Sequence, residues 1–243
     1  MSKGVCVITG GGRGIGAATA RRVAADGWTV CLSYVSERGR ADAVASEIGG
    51  RAVRADSSSE QDIGALFAAA DELGPVTAVV ANAAFIAPAR RLDEMDADEI
   101  RRTLEVNVVG VMLTARAGVR RMSTRHGGSG GAIVTVSSIA SRLGSPGEYV
   151  DYAASKGAVN TFTIGLAREL AREQVRVNAV LPGLIDTESH ARGGRPERIA
   201  QMAPQIPFGR AGTADEVASA IAWLLGDGAS YVTGAQVDVG GGR

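Results

Sequence analysis

Val5-Cys6-Val7-Ile8-Thr9-Gly10-Gly11-Gly12-Arg13-Gly14-Ile15-Gly16 is the stretch that decides the fold. A short apolar, β-branched run enters a turn made almost wholly of glycine. An alanine-rich segment follows to Asp26, with Ile15, Ala18 and Val23 toward one side of a helix. Strand, glycine turn and helix together open a βαβ unit. A phosphate reaches backbone N–H groups only where side chains are absent, and the helix N-terminus adds partial positive charge. The spacing is Gly-x3-Gly-x-Gly rather than Gly-x-Gly-x-x-Gly, but it stands in the strand-to-helix context that nucleotide binding requires.

Outward from this turn the same alternation continues. Strands are expected over Thr29–Ser33, Ala52–Ala55, Val76–Ala81, Ala132–Ser137, Val175–Val180 and Ala235–Val239. Helices are expected over Gly39–Ile48, Gln61–Leu73, Asp96–Arg125, Val150–Arg172 and Asp215–Leu225. Short strands continuous in apolar residues suit a parallel sheet buried on both faces. Alternation with helices implies right-handed crossovers and a doubly wound α/β fold of about seven strands. Residues 1–243 read as one domain, with ligands at the carboxyl ends of the strands.

Composition narrows the function. The 243 residues carry 26 Lys plus Arg and 26 Asp plus Glu, a net charge of zero. That balance gives no electrostatic reason to expect a nucleic acid or membrane surface as partner. No apolar run approaches the roughly 20 residues of a bilayer span. The N-terminal apolar run is too short for a signal peptide, so a cytoplasmic location is expected. Cys6 and Cys31 read as buried free thiols. With two histidines, His126 and His190, no metal site is expected. Glycine, 33 residues, is the one excess, and it clusters at strand ends.

The second strand should end near Ser33-Tyr34-Val35. Dinucleotide sites that take NAD place an acid about 20 residues beyond the glycines, on the ribose 2′-hydroxyl. No acid occurs from Ser33 to Ser36; Arg13, Ser36, Arg38 and Arg40 are near instead. NADP(H) is therefore expected ahead of NAD(H), with Glu37 as the opposing residue. Farther on, Tyr152-Ala-Ala-Ser-Lys156 puts a phenol and an amine four apart on one helical face. A cation about 4 Å away, at an effective dielectric near 20, supplies the roughly three pKa units that bring a tyrosine into the neutral range. Tyr152 can then serve as a general acid/base. Ser138 ends the preceding strand and can hold the substrate oxygen, ahead of its neighbour Ser137, which reads as a capping hydroxyl.

Together these motifs resemble the short-chain dehydrogenase/reductase family, from Val5 to Gly242. The matching stretches are Thr9-Gly10-x3-Gly14-Ile15-Gly16, Asp56, Asn82-Ala83-Ala84, Asn107, Ser138, Tyr152-x3-Lys156, Asn178 and Pro182-Gly183. The resemblance implies a Rossmann-type oxidoreductase that moves a hydride between a nicotinamide cofactor and a carbonyl or alcohol. Ser138 and Tyr152 would contact the reacting oxygen. Lys156 would hold the ribose and lower the Tyr152 pKa, and Asn107 would hold a relay water. Asp56 would meet the adenine and Asn82 would steady the strand end. Gly10, Arg13, Gly14, Ile15, Gly16, Ser33, Tyr34, Ser36, Ala83, Pro182, Gly183, Ile185 and Thr187 would complete the cofactor site. Two departures stand out: Ala84 where the family commonly has glycine, and a stretch from Gly144 to Asp151 about one residue longer than in many members.

The substrate class stays open among ketones, aldehydes, sugars and acyl-thioester ketones. A lid is expected over about 184–212, hinged at Gly193-Gly194, with Leu143, Tyr149 and His190 near the pocket. The apolar excess on the two long helices and the family's habit suggest a homotetramer. The competing readings are an NAD-dependent sugar or alcohol dehydrogenase and, behind it, a non-catalytic NADP-binding regulatory protein, against which Ser138, Tyr152 and Lys156 all stand.

Overall fold

The computed structural model describes residues 3–188, 195 and 197–243. Seven parallel strands form one sheet in the order β3-β2-β1-β4-β5-β6-β7. They are β1 (Val5–Ile8), β2 (Thr29–Tyr34), β3 (Arg51–Arg54), β4 (Val76–Ala81), β5 (Gly131–Val136), β6 (Val175–Pro182) and β7 (Gln236–Val239). The sheet is the expected doubly wound one. Strand order reverses between β1 and β4, which opens a crevice at their carboxyl ends.

Period-two alternation sends neighbours to opposite faces. Cys6 and Ile8 join Val30 and Leu32 in the core beneath α1 (Gly14–Ala25) and α2 (Arg38–Glu47). Val5 and Val7 join Val79 and Ile133 in the core on the other face. There α3 (Glu60–Asp71) packs, capped by the Ser59 hydroxyl accepting from the Asp62 N–H.

The long helix expected over Asp96–Arg125 is corrected. It divides into α4 (Ala97–Leu104), a π-helical turn (Glu105–Val109) and α5 (Gly110–Met122). Val106, Val108 and Val109 are poor helix formers, and the Asn107 side chain is pulled sideways, as described below. Beyond β5 come a short α6 (Ala140–Leu143) and the long α7 (Val150–Leu170). Then follow α8 (Arg198–Met202) and α9 (Ala214–Leu225). Thr213 and Glu216 form a reciprocal capping box at the start of α9. Among the described residues, no helix is long and apolar enough to cross a membrane.

Candidate active site

A cavity of about 610 Å³ opens at the carboxyl ends of the strands. Every residue expected at the cofactor lines it, as do Ser138, Tyr152 and Lys156.

On the β1 side the wall is backbone. Gly10 and Gly14 have φ of +67° and +49°. A Cβ on Gly16 would lie 2.2 Å from the Gly10 carbonyl oxygen. The turn is therefore closed so tightly that only glycine fits there. Asn82 Nδ2 donates to the Thr9 and Gly10 carbonyls at 2.9 and 3.1 Å. Thr9 Oγ1 accepts from the N–H groups of Asn82 and Ala83. Thr9 opens the glycine motif, but its tie to the end of β4 joins residues more than seventy positions apart and has no local signal. Ser33 is buried, and its Oγ accepts from the Gly10 N–H at 3.1 Å. It holds the turn from behind. Across the cavity, Thr187 carbons lie 3.6 and 3.7 Å from where a Gly14 Cβ would be. This is a cradle that a side chain would fill, and it lies at the N-terminus of α1, whose partial positive charge suits a diphosphate.

At the ends of β2 and β3 the charges are arranged differently from the sequence reading. Arg13, Ser36 and Glu37 line the cavity. Arg38 turns to Asp42 at 3.2 Å, and Arg40 bridges Glu37 at 3.4 Å and Glu188 at 2.6 Å. Asp56 does border the cavity, but its oxygens are engaged. Oδ1 accepts from the Ser58 N–H and hydroxyl, and Oδ2 from Arg102 Nη2 at 2.7 Å. Arg102 also lines the cavity. Nothing in its local sequence signals that role, because the contact spans 46 positions.

On the β5 side the wall is made of side chains that titrate. Tyr152 is the third residue of α7, and Lys156 lies one turn on. Lys156 is buried, its Nζ donating to the Val136 carbonyl at 2.7 Å. Ser137 Oγ donates to the Lys156 carbonyl at 3.0 Å, so Ser137 fastens β5 to α7. Ser138 borders the cavity and accepts the Ala140 N–H. The Lys156 ammonium sits 5.5 Å from the centre of the Tyr152 ring.

The expected lowering of the Tyr152 pKa by Lys156 is not present in this arrangement. Burial pushes the Tyr152 hydroxyl up to about 12, opposed only by a hydrogen bond with Ser138. Burial also pushes the Lys156 ammonium down to about 8. Loss of water sets the direction of both shifts.

Asn107 lies in the π turn, outside the cavity lining. Its Oδ1 accepts the Phe85 N–H at 2.7 Å, and Nδ2 donates to the Phe85 carbonyl at 2.9 Å and to Ser155 Oγ at 3.1 Å. Both amide hydrogens are committed, so the side chain clamps the loop after β4 to α7. A water held by Asn107 would find no amide hydrogen left to it. Asn178 is likewise structural, bonded to Val232 and Ala235. Leu143 and Tyr149 line the cavity, whereas His190 and Gly193-Gly194 lie outside the described residues.

Comparison with known proteins accords with this geometry. A family model described as Enoyl-(Acyl carrier protein) reductase matches residues 10–243. The uncharacterized oxidoreductase YgfF of Escherichia coli is 49% identical, over 98% of this chain and 99% of its own. Cis-4-hydroxycyclohexanecarboxylate dehydrogenase of Sinomonas cyclohexanicum is 41% identical, over 98% of this chain and 95% of its own. Among solved structures, a blue fluorescent protein from a metagenomic library, in complex with NADPH, superposes with a TM-score of 0.90 at 33% identity. That match covers 99% of this chain and 98% of the other. With a nicotinamide-cofactor cleft, a Tyr-x3-Lys pair on one helix and relatives of this kind over its whole length, the chain belongs to the short-chain dehydrogenase/reductase family of oxidoreductases.

Proposed function

We propose that the protein interconverts a secondary alcohol and its carbonyl, with NADP(H) as cofactor and Tyr152 as the general acid/base. The observation that carries this reading is that Ser138, Tyr152 and Lys156 border the same cavity as the glycine turn. The nicotinamide supplies or accepts the hydride. In reduction, the Ser138 and Tyr152 hydroxyls hold the carbonyl oxygen, and Tyr152 gives it a proton. A phenol held neutral suits that donor role. In oxidation, Tyr152 must accept the proton, so its pKa must fall when the site fills. The positive charge of an oxidised nicotinamide and the N-terminus of α7 both act in that direction. Lys156, with a lowered pKa, can pass protons near neutral pH.

Arg13 and Ser36 support NADP(H), as does the NADPH held by the structural relative. Glu37 is drawn toward Arg40, which weakens its claim on a ribose. The relative acting on a hydroxycyclohexanecarboxylate supports a ring-borne secondary hydroxyl as substrate. Residues 1–243 are read as one domain and as a cytoplasmic homotetramer. Leu104, Val109 and Met112 are exposed around the π turn, on the helices expected to meet partner subunits. Light scattering at micromolar concentration should give four copies; a monomer would refute the assembly.

The test is oxidation of NADPH, and of NADH in parallel, against a panel of ketones, aldehydes and oxoacyl thioesters, with a sugar-oxidation arm. Tyr152→Phe should reduce turnover by about 10³-fold while NADPH still binds. Turnover unchanged in that variant would remove the mechanism, and a clear preference for NADH would remove the cofactor assignment.

A further inference from the structure

Around Tyr152 the cavity wall is mostly apolar: Phe85, Ile86, Leu143 and Leu184. Arg198 is the exception that calls for explanation. Its side chain is only 12% exposed, and it borders the cavity. A guanidinium taken so far from water needs partners for its N–H groups. Nη1 has one, Glu148 Oε2 at 2.5 Å. Among the described residues, nothing takes the hydrogens of Nε and Nη2. The Tyr149 ring lies 5.2 Å from the guanidinium carbon and fixes its plane.

The Glu148 carboxylate does not neutralise Arg198 alone. Its other oxygen takes Arg195 Nη1 at 2.8 Å, so two guanidinium groups share it. Arg195 also pairs with Glu197. The acids that line the cavity, Glu37, Asp56 and Glu188, are tied to Arg40 and Arg102 from the α2 and α4 side. Among the described residues, no acid lines the cavity beside Tyr149 and Tyr152. The side-on edge formed by Nε and Nη2 matches the two oxygens of a carboxylate.

We infer that Arg198 binds a carboxylate on the substrate, distant from the carbon that gains or loses hydride, so that the substrate class is a small hydroxy or oxo acid. The inference rests on the alcohol–carbonyl reading above and deepens it. Arg198 discriminates by leaving buried donors unpaired when a neutral analogue binds.

The experiment separates this inference from the reading beneath it by using ligands that do not react. Cyclohexanecarboxylate and cyclohexanecarboxamide have nearly the same shape and differ in charge. Each is titrated calorimetrically into the NADPH-loaded protein. The acid is expected to bind about tenfold tighter or more. Arg198→Gln should erase that preference, and Arg198→Lys, which keeps the charge and loses the fork, should restore part of it. Equal binding of acid and amide overturns the inference. So does binding of neither, or a preference that survives Arg198→Gln in a variant whose circular dichroism matches the parent. If NADPH itself fails to bind, the cofactor reading is at fault, and the same titration on the unloaded protein still decides the role of Arg198.

Discussion

The two walls of the cleft are built on opposite terms. The β1 wall is built of backbone: a glycine turn, a carbonyl 2.2 Å from a forbidden Cβ and one asparagine lacing the end of β4 to the turn. Among the described residues of the glycine turn, no ionised side chain is fully buried. The β5 wall carries buried side chains whose charge is shifted by loss of water, Tyr152 and Lys156, and the nearly buried Arg198 borders the same cavity. The first wall is paid for in steric tolerance and the second in desolvation. The lesson is that one cleft can fail in two distinguishable ways, by shape or by charge.

Gly16→Ala is the sharpest way to break the first wall. The methyl must displace the Gly10 carbonyl, a backbone atom, so the turn itself shifts. Cofactor affinity should fall by about 100-fold or more, with a stability loss of about 1–3 kcal/mol. Fluorescence titration with NADPH and urea unfolding read the two effects. Retained affinity would mean that the turn is not the cofactor's seat.

The second wall should respond in the opposite sense. The folded-state pKa of Lys156 lies below its ordinary value of 10.5, at about 8. Between pH 8 and 10.5 the unfolded chain therefore holds more protons, and stability should rise with pH across that window. A shift of that size corresponds to about 3 kcal/mol. Lys156→Met should lose turnover, gain stability at pH 7 and abolish this rise, as read by urea unfolding at pH 7 and 10. The Tyr152 shift runs the other way. Raised from 10 to about 12, it adds stability that is present below pH 10 and lost as the pH climbs through 12. A Lys156→Met protein less stable than its parent at pH 7 would show that the ammonium is not costly where it sits.

Arg102→Ala gives the smallest expected effect, because it touches the edge of the cofactor site through Asp56. NADPH affinity should weaken several-fold with little change in turnover at saturating cofactor. Asp56, whose carboxyl is held below its ordinary range by Arg102 and Ser58 against the opposing effect of burial, should titrate higher in that variant. A carboxyl-carbon NMR titration would detect it.

Legibility in the sequence divided by distance along the chain and not by wall. The glycine turn of the β1 wall and the Tyr152–Lys156 pair of the β5 wall were both readable because each is local: the turn needs only its own dozen residues, and the pair lies one helical turn apart. What stayed hidden depends on contacts made at a distance. Arg102 meets Asp56 across 46 positions, and Arg198 meets Glu148 across 50. The direction of the Tyr152 shift was hidden too, because spacing gives a neighbour's charge and not the water that both groups lose. Arg38 and Arg40 looked like phosphate ligands, yet each had an acid within reach that composition alone could not assign.

The π turn over Glu105–Val109 has a geometric consequence of its own. One extra residue fitted into a helical turn rotates everything after it by roughly 100° relative to an unbroken helix. The rod formed by α4 and α5 therefore behaves like a vernier, with two scales read against each other at Asn107. Removing one residue from the turn would bring the scales back into phase. It would also swing either the Asn107 clamp or the whole face of α5 by a third of a revolution, so this short stretch should tolerate substitution far better than any change of length.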